Sequence, residues 1–113
     1  MTQPDDESRL RHMLDAARQA QSFTKGRMQK DLETDSMLLL AVVKAIEIIG
    51  EAASKISRER QSAIPQIPWP QVISMRNRLA HAYFDIDTDI LWQTVAEDLP
   101  PLIEELEVIL LSE

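Results

Sequence analysis

The chain has 113 residues, 44% of them hydrophobic and 27% charged, which suits a single globular domain over residues 1–113. It has only 2 glycines, few for the turns of a β protein, and no cysteine, which excludes disulfides and thiolate metal sites. The net charge of −7 counts against a general nucleic-acid binder and predicts weak non-specific RNA binding, but it permits a nuclease with a local basic patch.

The sequence predicts neither a secretory signal nor a membrane-spanning segment. Residues 1–7 are polar and acidic, which predicts a flexible tail and not a secretory signal. The longest apolar run, residues 37–43, is too short to cross a bilayer. The sequence therefore predicts a soluble cytoplasmic protein without membrane contacts.

A first helix is predicted from about Ser8, which can cap it. Its apolar residues recur at intervals of three and four and form one stripe. His12 lies off that stripe, so we interpret it as a surface histidine. The stripe consists of Leu10, Met13, Leu14 and Ala17.

A polar link around Gly26 follows the first helix and contains a small basic cluster. Lys25, Arg27 and Lys30 lie within it. A solvated face is the expected role of this cluster, and contact with an RNA backbone is the alternative.

A long second helix is predicted from Asp35 or Ser36, either of which can cap it, to about Ser57. Its residues are apolar almost all round. A helix of this kind needs partners on more than one side, which indicates a central helix or a subunit interface.

Lys44, Glu47 and Glu51 interrupt the apolar pattern of the second helix. Glu47 and Glu51 are four residues apart, so both carboxylates lie on one face. No third ligand is spaced to complete a metal site, so we expect a polar edge that pairs with an arginine across the fold. Gly50 is unfavourable inside a helix, and a close crossing with another helix would explain it.

A third helix is predicted to begin at Pro70, whose missing N–H is harmless in a first turn, with Trp69 anchoring that end. The helix is expected to end near residues 81–83. At about 100° per residue, Arg76 and His81 lie roughly 140° apart on a straight helix. Either the helix changes geometry near its end, or two subunits together form a site from these residues.

The last predicted helix is capped by Asp87 or Thr88, and the prolines at 100–101 must kink it or split it in two. All long segments are thus helical. The predicted fold is an all-α, antiparallel bundle of roughly four to five helices.

The chemistry of the chain is concentrated in residues 75–83, Met-Arg-Asn-Arg-Leu-Ala-His-Ala-Tyr. An arginine can hold and neutralise a phosphate, and a histidine can move protons near neutral pH. Arg76 and His81 therefore suit metal-free work on a phosphodiester. From the residues alone, a structural role is the stronger reading, in which Arg76 and Arg78 form ion pairs and His81 stabilises a helix end.

The segment Arg76-Asn77-Arg78-Leu79-Ala80-His81 resembles the Arg-x-x-x-x-His signature of the HEPN ribonucleases. Its continuation into Tyr83 narrows the resemblance to the HepT toxins, which pair with a minimal nucleotidyltransferase antitoxin, MntA. The resemblance covers the chain from about residue 9 onward. Further segments that carry it are residues 49–53 (Ile-Gly-Glu-Ala-Ala), 68–70 (Pro-Trp-Pro), 75–77 (Met-Arg-Asn), 85–87 (Asp-Ile-Asp) and 99–102 (Leu-Pro-Pro-Leu).

The resemblance implies a HEPN bundle that forms a homodimer, with the motifs facing each other across a shared cleft. It implies an endoribonuclease that needs no cofactor and no metal, and it shifts the reading of the motif to an active site. His81 would be the general base or acid, and Arg76 would stabilise charge on the phosphate. Asn77 would orient either His81 or the phosphate, with Arg78 in support. The expected products are a 2′,3′-cyclic phosphate and a 5′-hydroxyl.

Tyr83 resembles the HepT tyrosine that MntA-type antitoxins adenylylate. An added AMP would place a bulky anion beside Arg76 and repel RNA, which would switch the toxin off. A core position for Tyr83, or contact of its hydroxyl with the phosphate, are the other interpretations.

Two other function classes fit the sequence. The chain could be a non-catalytic helical subunit of a nucleotidyltransferase complex, with a nucleotide or the partner protein bound in the Arg/His cleft. It could also be a plain dimeric scaffold, in which changes at Arg76 and His81 affect stability alone.

Overall fold

The computed structural model describes residues 5–82 and 85–111, with the backbone alone for residues 80–82. The described residues form an all-α fold with one short antiparallel strand pair, which confirms the predicted class. None of their helices is long and apolar enough to cross a membrane. The elements are α1 (Asp6–Thr24), α2 (Asp31–Thr34), α3 (Ser36–Ser54), α4 (Arg58–Ala63), α5 (Trp69–Ile73), α6 (Met75–Leu79), β1 (Ala80–Ala82), β2 (Asp85–Ile86), α7 (Thr88–Gln93), a π-helical segment (Thr94–Asp98) and α8 (Leu99–Leu111).

Helix α1 packs along α3 and α8 through the apolar stripe that the sequence predicts. The helix begins at Asp6, so the predicted start at Ser8 is wrong. The cap is Asp5, whose Oδ1 accepts a hydrogen bond from the Ser8 amide at 2.8 Å. The buried residues of α1 are Leu10, Met13, Leu14, Ala16, Ala17 and Ala20.

Helix α3 lies at the centre of the fold, in contact with α1, α2, α5 and α6. This position accounts for its apolar residues on several faces. Asp35 caps α3, with Oδ1 accepting from the Leu38 amide at 3.1 Å. The helix ends at Ser54, not near Ser57 as predicted, because the Ser57 hydroxyl instead caps α4 by accepting from the Arg60 amide at 3.2 Å.

The predicted close crossing at Gly50 is present where α3 meets α5. A Cβ at Gly50 would lie 3.1 Å from the Ile73 carbonyl oxygen and 3.5 Å from that of Val72. The absence of a side chain therefore lets the two backbones approach, which offsets the unfavourable helix propensity of glycine.

The start of the predicted third helix is confirmed. Pro70 lies in the first turn of α5, and the buried Trp69 donates its Nε1–H to the Gln61 and Ile64 carbonyls, each at 3.0 Å. The continuous helix that the sequence predicts from Pro70 onward is wrong. At Ser74 the hydroxyl donates to the Pro70 carbonyl at 2.8 Å, and the chain turns from α5 into α6.

The end of α6 also differs from the prediction, because the helix stops at Leu79 and the chain continues as strand β1. The Leu79 carbonyl accepts from the Asp87 amide at 2.7 Å, so its hydrogen bond goes to the returning chain and not to a further helical turn. Ala80 pairs with Ile86, and Ala82 with Asp85.

The last helical region is divided, as the prolines predict. Asp87 caps α7, with Oδ1 accepting from the Ile90 amide at 3.1 Å, and the π-helical segment separates α7 from α8. Pro100 and Pro101 lack the N–H groups that would bond to carbonyls in the preceding turn. They therefore lie in the first turn of α8, after the widened π turn.

Candidate active site

Arg76 of α6 is held by a carboxylate from the central helix α3. The Arg76 Nε donates to Glu47 Oε1 at 2.9 Å, and the two side chains are 38% and 34% exposed. Lys44 Nζ lies 3.9 Å from the other oxygen of Glu47. The predicted pairing of the α3 carboxylates with an arginine across the fold is confirmed for Glu47, whereas Glu51 pairs with Lys55 at 3.1 Å.

The position of Arg76 follows from its buried neighbours on α6. Met75 and Leu79 are buried and pack this short helix against the core, where α6 contacts α3 and α7. Arg76 thereby borders a groove of about 250 Å³ beside Asn77. The other residues that line this groove are Glu47, Gly50, Glu51, Ser54 and Ile73.

The charges that line this groove do not sum to a positive value, since Arg76 faces the carboxylates of Glu47 and Glu51. The hydrogen bond from Lys55 lowers the pKa of Glu51, and the charges of Lys44 and Arg9 act in the same direction. Glu51 is therefore ionised at neutral pH. The groove has an oriented guanidinium, but its electrostatic attraction for a polyanion is weak.

Arg78 lies in a different groove from Arg76. Its terminal nitrogen is 3.7 Å from Asp98 Oδ2, and it lines a groove of about 360 Å³ that also includes Glu97 and Glu105. Asn77 and Arg78 were predicted to support the site. Asn77 lines the same groove as Arg76, whereas Arg78 lines a different one.

His81 is the middle residue of β1, directly after α6, and its side chain lies outside the described residues. Tyr83 also lies outside them. Because α6 ends at Leu79, the helical angle between Arg76 and His81 does not apply. The helix therefore changes geometry before His81, as the first of the two alternatives for the motif requires, and a site shared between two subunits stays a prediction.

The side chains that the structure describes contain no group of three His, Cys, Asp or Glu residues placed to hold a metal ion. The chemistry available at Arg76 is that of a positioned cation. Such a cation can bind a phosphate and stabilise added negative charge on it.

Comparison with known proteins identifies the family. The family described as "Ribonuclease HepT-like" matches residues 13–109. The chain belongs to this HepT-like ribonuclease family. The chain is similar to "Putative RNase MJ1380" of Methanocaldococcus jannaschii, which is 35% identical over 109 residues, covering 96% of this chain and 100% of the relative.

Two further relatives of this HepT-like chain carry similar names. "Probable ribonuclease HepT" of Thermococcus cleftensis is 39% identical over 93 residues, covering 82% of this chain and 84% of that protein. "Putative RNase TTE0752" of Caldanaerobacter subterraneus subsp. tengcongensis is 32% identical over 104 residues, covering 92% and 93%. No solved structure matches the chain.

Glu47 is the site residue that the sequence identified only in part. The i, i+4 spacing of Glu47 and Glu51 indicated a polar edge, but both carboxylates fit the pattern equally. The contact that distinguishes them joins residues 29 positions apart. The packing of α6 on α3 makes Glu47 the partner of Arg76.

Proposed function

We propose that the chain is a metal-independent endoribonuclease whose catalytic residues are Arg76 and His81. The observation that carries this proposal is the contact between Glu47 and Arg76, which orients one guanidinium beside Asn77 in the first turn of α6. His81 follows the last residue of α6, Leu79, by two residues and lies on the first strand. Membership of the HepT-like ribonuclease family supports the reaction class.

The chemistry needs a cation on the phosphate and a group that transfers protons. Glu47 occupies the inner nitrogen of Arg76, and in the proposed complex the donors on the two terminal nitrogens bind phosphate oxygens. In the proposed reaction His81 removes the proton of the RNA 2′-hydroxyl, whose oxygen attacks phosphorus as the P–O5′ bond breaks. The leaving 5′-oxygen takes up a proton from water, and His81 then gives the proton of the 2′-hydroxyl back to the solvent. The products are a 2′,3′-cyclic phosphate and a 5′-hydroxyl, with Asn77 orienting either the phosphate or His81.

The proposal extends to a type VII toxin–antitoxin pair in which this chain is the toxin. A MntA-type nucleotidyltransferase antitoxin would transfer AMP from ATP to the Tyr83 hydroxyl and release pyrophosphate. The support is the position of Tyr83, two residues after His81, together with the family. The AMP phosphate would compete with RNA for Arg76 and silence the enzyme.

We also propose that two subunits associate through the outer face of α3. Met37 and Leu40 on this helix are 82% and 68% exposed, and the same helix carries Glu47. Exposed apolar residues of this size favour an interface. Sedimentation of Leu40→Glu beside wild type tests it: the variant should be monomeric, and a dimer of unchanged stability would contradict this interface.

Incubation of purified protein with total cellular RNA in the presence of a chelator tests the proposed activity. Wild type should give discrete cuts with cyclic-phosphate ends, and His81→Ala should give none while keeping its fold. Absence of cutting by unmodified wild type would contradict the proposal and favour a non-catalytic, nucleotide- or partner-binding subunit. Mass spectrometry of the same sample separates an intrinsically inactive protein from one already carrying AMP on Tyr83.

A further inference from the structure

A further groove, larger than those at Arg76 and Arg78, lies between the C-terminal end of α1 and the π-helical segment. Its volume is about 680 Å³. We call it the basic groove, because its described lining includes three cations and no carboxylate. The lining residues are Arg18, Gln21, Ser22, Thr24, Lys25, Arg27, Trp92, Val95, Ala96 and Pro100.

The charge of the basic groove is opposite to that of the chain as a whole. The protein has a net charge of −7, and the Arg76 groove contains Glu47 and Glu51. A polyanion is therefore repelled by the average surface and gains little at the Arg76 groove. Attraction for an RNA backbone needs a local concentration of cations without carboxylates, which the basic groove supplies.

The three cations of the basic groove are available to a phosphate. Lys25 forms no ion pair with any side chain that the structure describes. Arg18 pairs with Glu107 at 2.6 Å and Arg27 with Asp35 at 3.2 Å, and neither carboxylate lines the groove. All four of these paired side chains are at least 35% exposed, so water screens the pairs and a phosphate can replace the carboxylates.

Trp92 gives the basic groove an aromatic wall. It is half-buried, with part of its surface packed against the core, and it lines the groove beside Val95 and Pro100. Proteins that bind single-stranded nucleic acid combine a cationic groove with aromatic side chains on which bases stack. Lys25 and Arg27 for the backbone and Trp92 for a base form this combination.

We propose that the basic groove binds a single-stranded segment of the RNA substrate outside the cleavage site. This inference rests on the proposed ribonuclease function for its biological meaning. The π-helical segment connects the two regions, because its residues Val95 and Ala96 line the basic groove and its Asp98 contacts Arg78 on the motif helix α6. RNA held in the basic groove thus lies against the same segment that supports the motif.

Binding is tested in a His81→Ala background, which removes cleavage. The probe is a fluorescein-labelled single-stranded oligouridylate, and the measurement is fluorescence anisotropy over a range of salt concentrations. Lys25→Ala with Arg27→Ala should raise Kd about tenfold and lower the slope of log Kd against log salt by about 1.4. The double variant Arg11→Ala, Arg58→Ala is the matched control. It also removes two exposed positive charges, but neither lies in the basic groove, so Kd should change less than twofold.

Trp92→Leu tests stacking separately from charge. It should raise Kd about tenfold at all salt concentrations without changing the salt slope, because it removes no charge. Circular dichroism shows whether Trp92→Leu has kept its fold. If it has not, the Lys25/Arg27 variant still tests the proposal, because its substituted side chains are exposed. Equal Kd values for the Lys25/Arg27 pair and the Arg11/Arg58 pair would overturn the proposal.

Cleavage separates this inference from the proposed activity. In the wild-type background, Lys25→Ala with Arg27→Ala should raise KM for a long RNA and leave cleavage of a dinucleotide unchanged, since a dinucleotide is too short to fill both sites. If wild type cleaves nothing, the proposed function fails, and oligouridylate binding still decides the basic groove. Binding of polyglutamate at the groove without oligouridylate binding would overturn the RNA proposal in favour of an acidic protein partner.

Discussion

Replacement of Glu47 by alanine removes the contact that orients Arg76 and should reduce activity far more than stability. The ion pair is short, at 2.9 Å, but its side chains are 38% and 34% exposed. Pairs with this much exposure contribute about 1 kcal/mol or less to the free energy of unfolding, so Tm should fall by no more than about 4 °C. Without Glu47, Arg76 must be reoriented in each turnover. This should raise the reaction barrier by about 1.4 kcal/mol, which lowers the rate about tenfold.

The assay is steady-state cleavage of an oligoribonucleotide, with kcat and KM determined separately and Tm measured on the same samples. Glu47→Ala should lower kcat about tenfold, and Glu47→Gln, which keeps an oxygen acceptor without the charge, should recover about half of that loss in free energy. Arg76→Ala gives the reference loss of about 10²- to 10³-fold.

Glu51→Ala is the matched control for Glu47→Ala. It removes the same residue type from the same groove, one helical turn away, but its partner is Lys55. It should change kcat less than twofold. An equal loss of kcat in both glutamate variants, or full activity of Glu47→Ala beside an inactive Arg76→Ala, would refute the positioning role of Glu47.

Three further predictions concern the crossing, the N-terminus and the switch. Gly50→Val should destabilise the fold by roughly 2 kcal/mol, because the valine side chain would meet the α5 backbone. Thermal unfolding measures this loss, with Ser54→Val, at an exposed site on the same helix, as the control. The Ser57 hydroxyl and amide lower the pKa of Asp6 below 3.8, so this carboxylate stabilises the fold above that pH and the effect is lost as pH falls through the folded-state pKa. The difference in Tm between wild type and Asp6→Ala should therefore shrink in acid, and it should depend less on pH in a Ser57→Ala background, which removes the hydroxyl donor but keeps the amide donor. Tyr83→Phe should still cleave RNA but escape silencing by the antitoxin and ATP, and mass spectrometry that finds AMP on another residue instead would contradict this.

The sequence alone predicted the features that depend on neighbours along the chain. The sequence limited two of the caps to Asp35 or Ser36 and to Asp87 or Thr88, and the aspartate is the cap in both cases. The proline-rich start of α5 is equally local and is present. The α1 stripe and the central place of α3 follow from hydrophobic periodicity. The start of α1 was wrong by two residues because Asp5 and Ser8 are both good caps, so residue type alone did not choose between them.

The tertiary structure decided which side chains meet. Local sequence favours a continuous helix through the motif, but the hydrogen bond from the Asp87 amide to the Leu79 carbonyl ends α6 where the chain returns. Glu47, and not Glu51, contacts Arg76, and the basic groove brings residues 18–27 against residues 92–100. Such contacts depend on how the helices pack against each other. The spacing of residues along the chain determines which face of a helix is buried, but it does not determine which other helix packs against that face.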